Sequence, residues 1–321
     1  MVNPETAGDP MSTRKWVRSS LARLSHRLRE LGHQVSPMTV RRLLGDLDYS
    51  LKANAKQRTG ADHPDRDTQF GHIETQKTEF QAAGQPVISV DGKKKELVGD
   101  FKNPGQVWCK EAEVVNVHDF LPKGGVRAVP YGIYDLGRNR GYVYVGTSAD
   151  TSEFAVDAIA MWWEEEGRSA YPGADSLLIL ADGGGSNDYR RHTWKEHLQY
   201  ELSNCFGLAV TVCHYPTGCS KWNPIEHKLF SFISLNWAGQ PLRTLETLLG
   251  CIRDTTTTTG LIVKAKLIDR IYAKGQTVPP DVMKRLRLKP HSVCPKWNYT
   301  VDPRIRFVPN SALKKGKVVS G

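Results

Sequence analysis

Two short apolar runs, Val87–Val90 and Leu177–Leu180, constrain this chain more than any other feature, because each leads into an aspartate followed by glycine, Asp91-Gly92 and Asp182-Gly183. Charge-free runs of this length read as strands covered on both faces, the condition of central strands in an α/β sheet. Val129–Leu136 and Tyr142–Gly146 supply two more strands, joined by the hairpin-like turn Gly137-Arg138-Asn139-Arg140-Gly141, and Ala209–Cys213 a fifth. Ser152 introduces a helix with Phe154, Ala155, Ala158, Ile159 and Trp162 on one face, a second helical stretch covers His192–Leu202, and Pro224 opens a third through Ser234. Strand, strand, strand, helix, strand, helix, strand, helix is the element order of an α/β, ribonuclease-H-like mixed sheet, with its first and fourth strands side by side.

Ahead of that core the spacing changes to a helical one. Leu21, Leu24, Leu28 and Leu31 form one stripe, capped by Ser20 and ended by Gly32; Val40, Leu43, Leu44 and Leu47 form another behind the start signal Ser36-Pro37. The pair predicts an all-α helix-turn-helix segment in which Thr39, Arg41 and Arg42 are turned toward DNA, although any small helical hairpin shares the pattern. The expected division is a helix-turn-helix segment over 1–60, a linker with a short helix over 61–85, a catalytic domain over 86–240 and a basic region over 241–321.

Charge supports a polyanionic partner. Residues 1–60 carry 11 Lys and Arg against 5 Asp and Glu, residues 61–235 carry 17 against 24, and residues 236–321 carry 16 against 5. Basic flanks around an acidic centre suit a protein that grips phosphates at its ends and needs carboxylates in the middle. No run is long and apolar enough to span a bilayer and no secretory signal is evident, so no membrane contact and a cytoplasmic, nucleoid-associated location are expected. The six cysteines are too scattered for a disulfide framework, and Cys205, Cys213, His214 and Cys219 lack zinc-pair spacing. Walker and serine-elbow motifs are absent from the sequence.

Three carboxylates take special places on this map: Asp91 past the first strand, Asp182 past the fourth, and Glu226 at the start of the helix after the fifth. Hard Mg²⁺ prefers oxygen ligands, and a pair of such ions held about 4 Å apart serves phosphodiester chemistry. Each residue has a plainer reading alone, the aspartates as Asp-Gly turns and Glu226 as partner of Asn223 in a helix cap. Lys93, Lys94 and Lys95 form either a solvated edge or a phosphate contact, and Gly183–Gly185 either a flexible loop or an amide cradle. Lys221 and Trp222 precede Glu226; the indole either stacks on an unpaired base or packs in the core, the plainer of the two.

The segments Ser89-Val90-Asp91-Gly92-Lys93-Lys94-Lys95-Glu96, Val115-Asn116-Val117-His118-Asp119-Phe120, Ala181-Asp182-Gly183-Gly184-Gly185-Ser186-Asn187 and Ser220-Lys221-Trp222-Asn223-Pro224-Ile225-Glu226-His227 closely resemble the Rhodopirellula-type DDE-domain transposase family of bacterial insertion sequences. His63-Pro64-Asp65-Arg66-Asp67 and Trp297-Asn298-Tyr299-Thr300 extend the likeness over nearly the whole chain. The resemblance implies an Mg²⁺-dependent polynucleotidyl transferase that cleaves and joins DNA at element ends, with Asp91, Asp182 and Glu226 both catalytic and metal-binding, two Mg²⁺ ions with Mn²⁺ as a substitute, and transposon-end and target DNA as partners, held by a homodimer. Relatives usually begin with a longer helical region before the segment matching Asp9 onward, so an N-terminally short copy is expected. The alternatives are an inactive or domesticated DNA-binding derivative and a ribonuclease-H-like nuclease that cuts without joining.

Overall fold

The computed structural model describes residues 6–8, 15–17, 19–50, 63–107 and 109–305. The chain divides into two compact units, residues 1–58 and 59–321.

In the first unit, strands β1 (Thr6–Gly8) and β2 (Lys15–Val17) pair antiparallel ahead of helices α1 (Leu21–Glu30) and α2 (Pro37–Asp46). The helices start where their caps predict: Ser20 Oγ accepts from Arg23 N at 3.2 Å and Ser36 Oγ from Thr39 N at 3.1 Å. Gly32, at φ +88°, supplies the left-handed residue after α1. The strand pair is an addition to the all-α reading, since three-residue strands carry no period to read. Of the apolar stripe on α2, Val40 is buried, whereas Leu43 is 43% and Leu47 58% exposed. A two-helix unit offers too little surface to cover a stripe that wide.

The second unit is built on one sheet. Its strands are β3 (Val87–Gly92), β4 (Glu96–Leu97), β5 (Arg127–Asp135), β6 (Arg140–Gly146), β7 (Ser176–Ala181), β8 (Ala209–His214), β9 (Ile262–Leu267), β10 (Leu288–Pro290) and β11 (Asn298–Val301). The order is β10-β11-β8-β7-β3-β5-β6-β9, with β4 beside β5. Within it, β6-β5-β3-β7-β8 is the ribonuclease-H-like arrangement: β5 runs antiparallel to β3 and β6, and β3, β7 and β8 run parallel. The first and fourth core strands are neighbours, as the element order requires.

Alternation along the strands sorts the two faces. Ile88, Val90, Leu177, Ile179, Val210 and Val212 join the core under helix α4 (Ser152–Trp162) and the helical stretch from His192 to Asn204. Val87, Leu178, Leu180 and Cys213 face the other way, toward Ile73 of helix α3 (Arg66–Ala82). Ser89 and Asp91 share the parity of Val87, so they too lie on that second face.

Two of the expected boundaries change. Residues 63–82 are no linker: the 17-residue α3 packs on the sheet, and its buried Gln69 exchanges amide hydrogen bonds with Asn298 of β11 at 2.7 and 2.6 Å. With only Gln69 and Ile73 buried, α3 has no apolar period to announce it. Residues 51–62 of the expected linker lie outside the described residues. The region from 241 onward is not separate from the catalytic unit either, because β9, β10 and β11 are strands of the same sheet; its end, 306–321, lies outside the described residues. Among the described residues no helix is long and apolar enough to cross a membrane.

Candidate active site

Asp91 is the fifth residue of β3, and its Oδ1 accepts from the Gly92 amide at 2.7 Å. On one side β3 runs parallel to β7 with Val90 opposite Ala181, so Asp91 and Asp182 leave adjacent strand ends. On the other side Asp91 stands opposite Gly132 of β5. The Gly184 amide turns back to Asp182 Oδ1 at 3.4 Å. The glycine run thus holds Asp182 in its turn.

Glu226 arrives from the helix that Pro224 opens, which passes through a π-helical turn, Glu226–Phe230, into the helix Ser231–Asn236. That helix is fastened to β3. Ser89 Oγ donates to Asn223 Oδ1 at 2.5 Å, Asn223 Nδ2 donates to the Val90 carbonyl at 3.2 Å, and the Ile225 amide donates to Ser89 Oγ at 3.0 Å. Ser89 and Asn223 are both fully buried. The capping alternative for Glu226 therefore falls away: the Asn223 side chain is engaged with β3, and only the backbone bond from Glu226 N to Asn223 O, at 3.1 Å, remains between the two residues.

Gly132 explains how the helix comes so close. A Cβ there would stand 2.9 Å from Ile225 Cδ1 and overlap the Phe230 ring. Only a residue without a side chain admits the helix next to the strand pair that carries Asp91.

Asp91 feels the other two carboxylates. Burial first, then the charges of Asp182 and Glu226, push the Asp91 carboxyl up to about 8. Burial raises Asp182 as well; the Gly184 amide opposes this, while Glu226 and Asp188 add to it. Buried Tyr131 is held far above its usual range by burial and by Asp91, Asp150 and Asp182, and it donates to Asn187 Oδ1 at 2.8 Å. Two carboxyls, Asp91 and Asp182, raised by burial and by neighbouring negative charge form a site that a proton or a cation must neutralise.

An all-oxygen donor set with excess negative charge fits a hard divalent cation. Among the described residues, no three His, Cys, Asp or Glu side chains already stand in metal-ligand geometry.

The remaining predicted residues divide. Lys94 and Lys95 are exposed beside Asp91. Lys93 turns inward: its Nζ is 3.2 Å from Glu96 Oε1 and 4.6 Å from the Trp237 ring centroid, and burial lowers its ammonium. Lys221 and Trp222 are both exposed, Trp222 at 52%, so the core reading of this indole is wrong. In the first unit Arg41 and Arg42 are exposed, while the Thr39 hydroxyl lies 3.0 Å from Ser36 Oγ in the cap of α2. His214, rejected as a zinc ligand, is buried with its two ring nitrogens against the Trp297 and Asn187 carbonyls. Sequence reasoning missed Ser89 and Gly132. The signal for Ser89 was a lone hydroxyl inside an apolar strand.

The family described as the Rhodopirellula transposase DDE domain matches residues 1–303. No curated protein matches the chain. Among solved structures, the Mos1 transposase paired-end complex with left transposon end is similar with a TM-score of 0.41 and 13% identity, over 75% of this chain and 72% of that one. The Mos1 strand transfer complex is similar at 0.42 and 13%, over 75% and 71%. The mariner Mos1 paired end complex with Mg is similar at 0.42 and 14%, over 75% and 72%. Likeness at this distance says nothing of the chemistry of the carboxylates.

Proposed function

The chain belongs to the Rhodopirellula transposase DDE-domain family, and from that premise we propose that Asp91, Asp182 and Glu226 are the catalytic carboxylates of an insertion-sequence transposase and would hold two Mg²⁺ ions. The observation that carries the assignment is the placement of the three: pairing of Val90 with Ala181 sets Asp91 and Asp182 at adjacent strand ends, and the bonds of Asn223 with Ser89 and Val90 fasten the helix that bears Glu226 to the same strand. The family match favours neither a dead DNA-binding derivative nor a nuclease that only cuts.

Bound between Asp91, Asp182 and Glu226, the ions would supply Lewis acidity for phosphodiester chemistry. The chain's residues do the rest. Asp91 and Asp182, on adjacent strand ends, present oxygens from the sheet, and Glu226 presents its own from the helix fastened by Asn223. Fixed carboxylates keep the attacking hydroxyl, first of water and then of a freed 3′ end, in line with the leaving oxygen. Lys94, Lys95, Lys221 and Trp222 hold the DNA flanking the cut, and Thr39, Arg41 and Arg42 take part in recognising element ends, the two arginines through phosphates or base edges. Two copies of the chain would bring two ends together, and chromosomal DNA as target places the protein in the cytoplasm.

Incubation of the protein with DNA carrying the element's own ends and Mg²⁺, with products resolved on sequencing gels, tests this. Cut ends and joined target molecules are expected; cut ends without joined product would reduce the function to that of a nuclease.

A further inference from the structure

Trp222 sits in the short turn Ser220–Trp222, four residues before Glu226, and is 52% exposed. Leaving so large an apolar ring in water forgoes burial energy, a cost that needs a reason. Mobility is not that reason. The Trp222 amide donates to the Cys219 carbonyl at 2.9 Å, Cys219 is buried, and Asn223, the next residue, is fully buried and bonded to β3.

The ring is also backed by other aromatics. Phe70 of α3 meets it nearly at a right angle with centroids 6.1 Å apart, and Phe70 in turn lies 5.9 Å from buried Tyr215. Cations flank the step: Lys221 Nζ is 5.5 Å from the indole centroid, and the Arg66 guanidinium is 5.6 Å from that of Phe70. An exposed indole on an anchored backbone, beside Lys221 and next in sequence to the segment that delivers Glu226, has the composition of a stacking step for a nucleotide.

We propose that Trp222 stacks on an unpaired base of the DNA being processed, immediately beside the scissile phosphate, with Lys221 leaving the indole for the adjoining phosphate. The proposal rests on the transposase reading and names the state of the substrate that the site takes. A base inside a duplex has both faces covered by its neighbours, so an indole gains a partner only from a base out of the stack. A nucleotide suits the pair of side chains, since its base can stack on the indole while its phosphate meets Lys221, whose Nζ is 5.5 Å from the ring centroid.

The test uses the full chain and two DNA probes carrying the element's end, one fully paired and one with the terminal nucleotides beside the cut left unpaired and substituted with iodouracil. Wild type and Trp222→Phe should bind the unpaired probe more tightly and photocrosslink to iodouracil at position 222. Trp222→Leu should lose the crosslink and reduce the preference for the unpaired probe by about tenfold, since base stacking on an aromatic ring changes affinity by that order. Equal loss on both probes, or a preference that survives in Trp222→Leu, overturns the inference. If wild type neither cuts nor joins either probe with Mg²⁺, the transposase reading itself has failed; if it does both and Trp222→Leu keeps its preference, only the stacking step has.

Discussion

Ser89 and Asn223 lie 134 residues apart in sequence and meet in a fully buried hydrogen bond of 2.5 Å. Through it the strand that carries Asp91 holds the helix that carries Glu226. Two elements far apart in sequence, each bearing one of the proposed catalytic carboxylates, are joined by this contact.

Removing either partner should loosen Glu226 without touching it. Ser89→Ala and Asn223→Ala each leave a buried polar group unpaired, which costs about 1–3 kcal/mol. Denaturant unfolding should show that loss, and single-turnover cleavage in Mg²⁺ should slow by on the order of tenfold to a hundredfold in protein that is still folded, as expected of misplaced catalytic groups. Cleavage at the wild-type rate in stable Asn223→Ala would show that the contact supports the fold alone.

Gly132→Ala should be more harmful than its one added methyl suggests. The new Cβ would fall 2.9 Å from Ile225 Cδ1 and within the Phe230 ring, and overpacking of this kind costs about 1–3 kcal/mol. Gly84→Ala makes no close contact and is strained by its φ of +67° alone. Both variants lose stability in a denaturant titration, but only Gly132→Ala should also lower the affinity for Mg²⁺.

Proton uptake follows from Asp91. Its ordinary value of 3.8 rises to about 8 in the fold, so near pH 7 the metal-free protein keeps a proton there. The folded state binds this proton more tightly than the unfolded chain. Its stabilisation is therefore complete below about pH 4 and is lost as pH rises through about 8. Mg²⁺ binding should expel the proton and grow tighter from pH 6 to 8. Calorimetry in buffers of different ionisation enthalpy measures the release; a heat independent of buffer would contradict it.

Salt dependence separates the lysines. Exposed Lys94 and Lys95 should each contribute about 0.9 to the slope of log affinity against log salt if each neutralises a phosphate. The paired substitution Lys94→Ala with Lys95→Ala should lower that slope by nearly two. Lys93→Ala should leave the slope unchanged and lower stability, because its ammonium is buried against Glu96 and Trp237.

Much of the core was legible because strands buried on both faces leave an unbroken apolar signature. Val87–Val90 and Leu177–Leu180 marked β3 and β7, and their ends marked Asp91 and Asp182. What escaped depended on contacts distant in sequence. The short helix expected within 61–85 is the C-terminal part of α3; its N-terminal part is polar and tied to β11 by the Gln69 amide, so no period showed its full length or its place on the sheet. Strands β9 to β11 are short or partly exposed, and only the sheet order joins them to the core. Asn223 looked like a helix cap, since capping residues and buried clamps use the same side chain. For Trp222 the plainer core reading follows the habit of large aromatics, and for Lys93 a surface position follows that of lysines; both positions reverse the habit.

The central claim is that Asp91, Asp182 and Glu226 act together on DNA, and Asp182→Asn tests it most directly. The substitution keeps the side chain's shape and an acceptor for the Gly184 amide while removing the charge. Joining of the element's ends to target DNA in Mg²⁺ should fall by on the order of a thousandfold or more, as when an electrostatic group essential to the transition state is lost, while DNA binding persists. Strand transfer at the wild-type rate in folded Asp182→Asn would contradict the account.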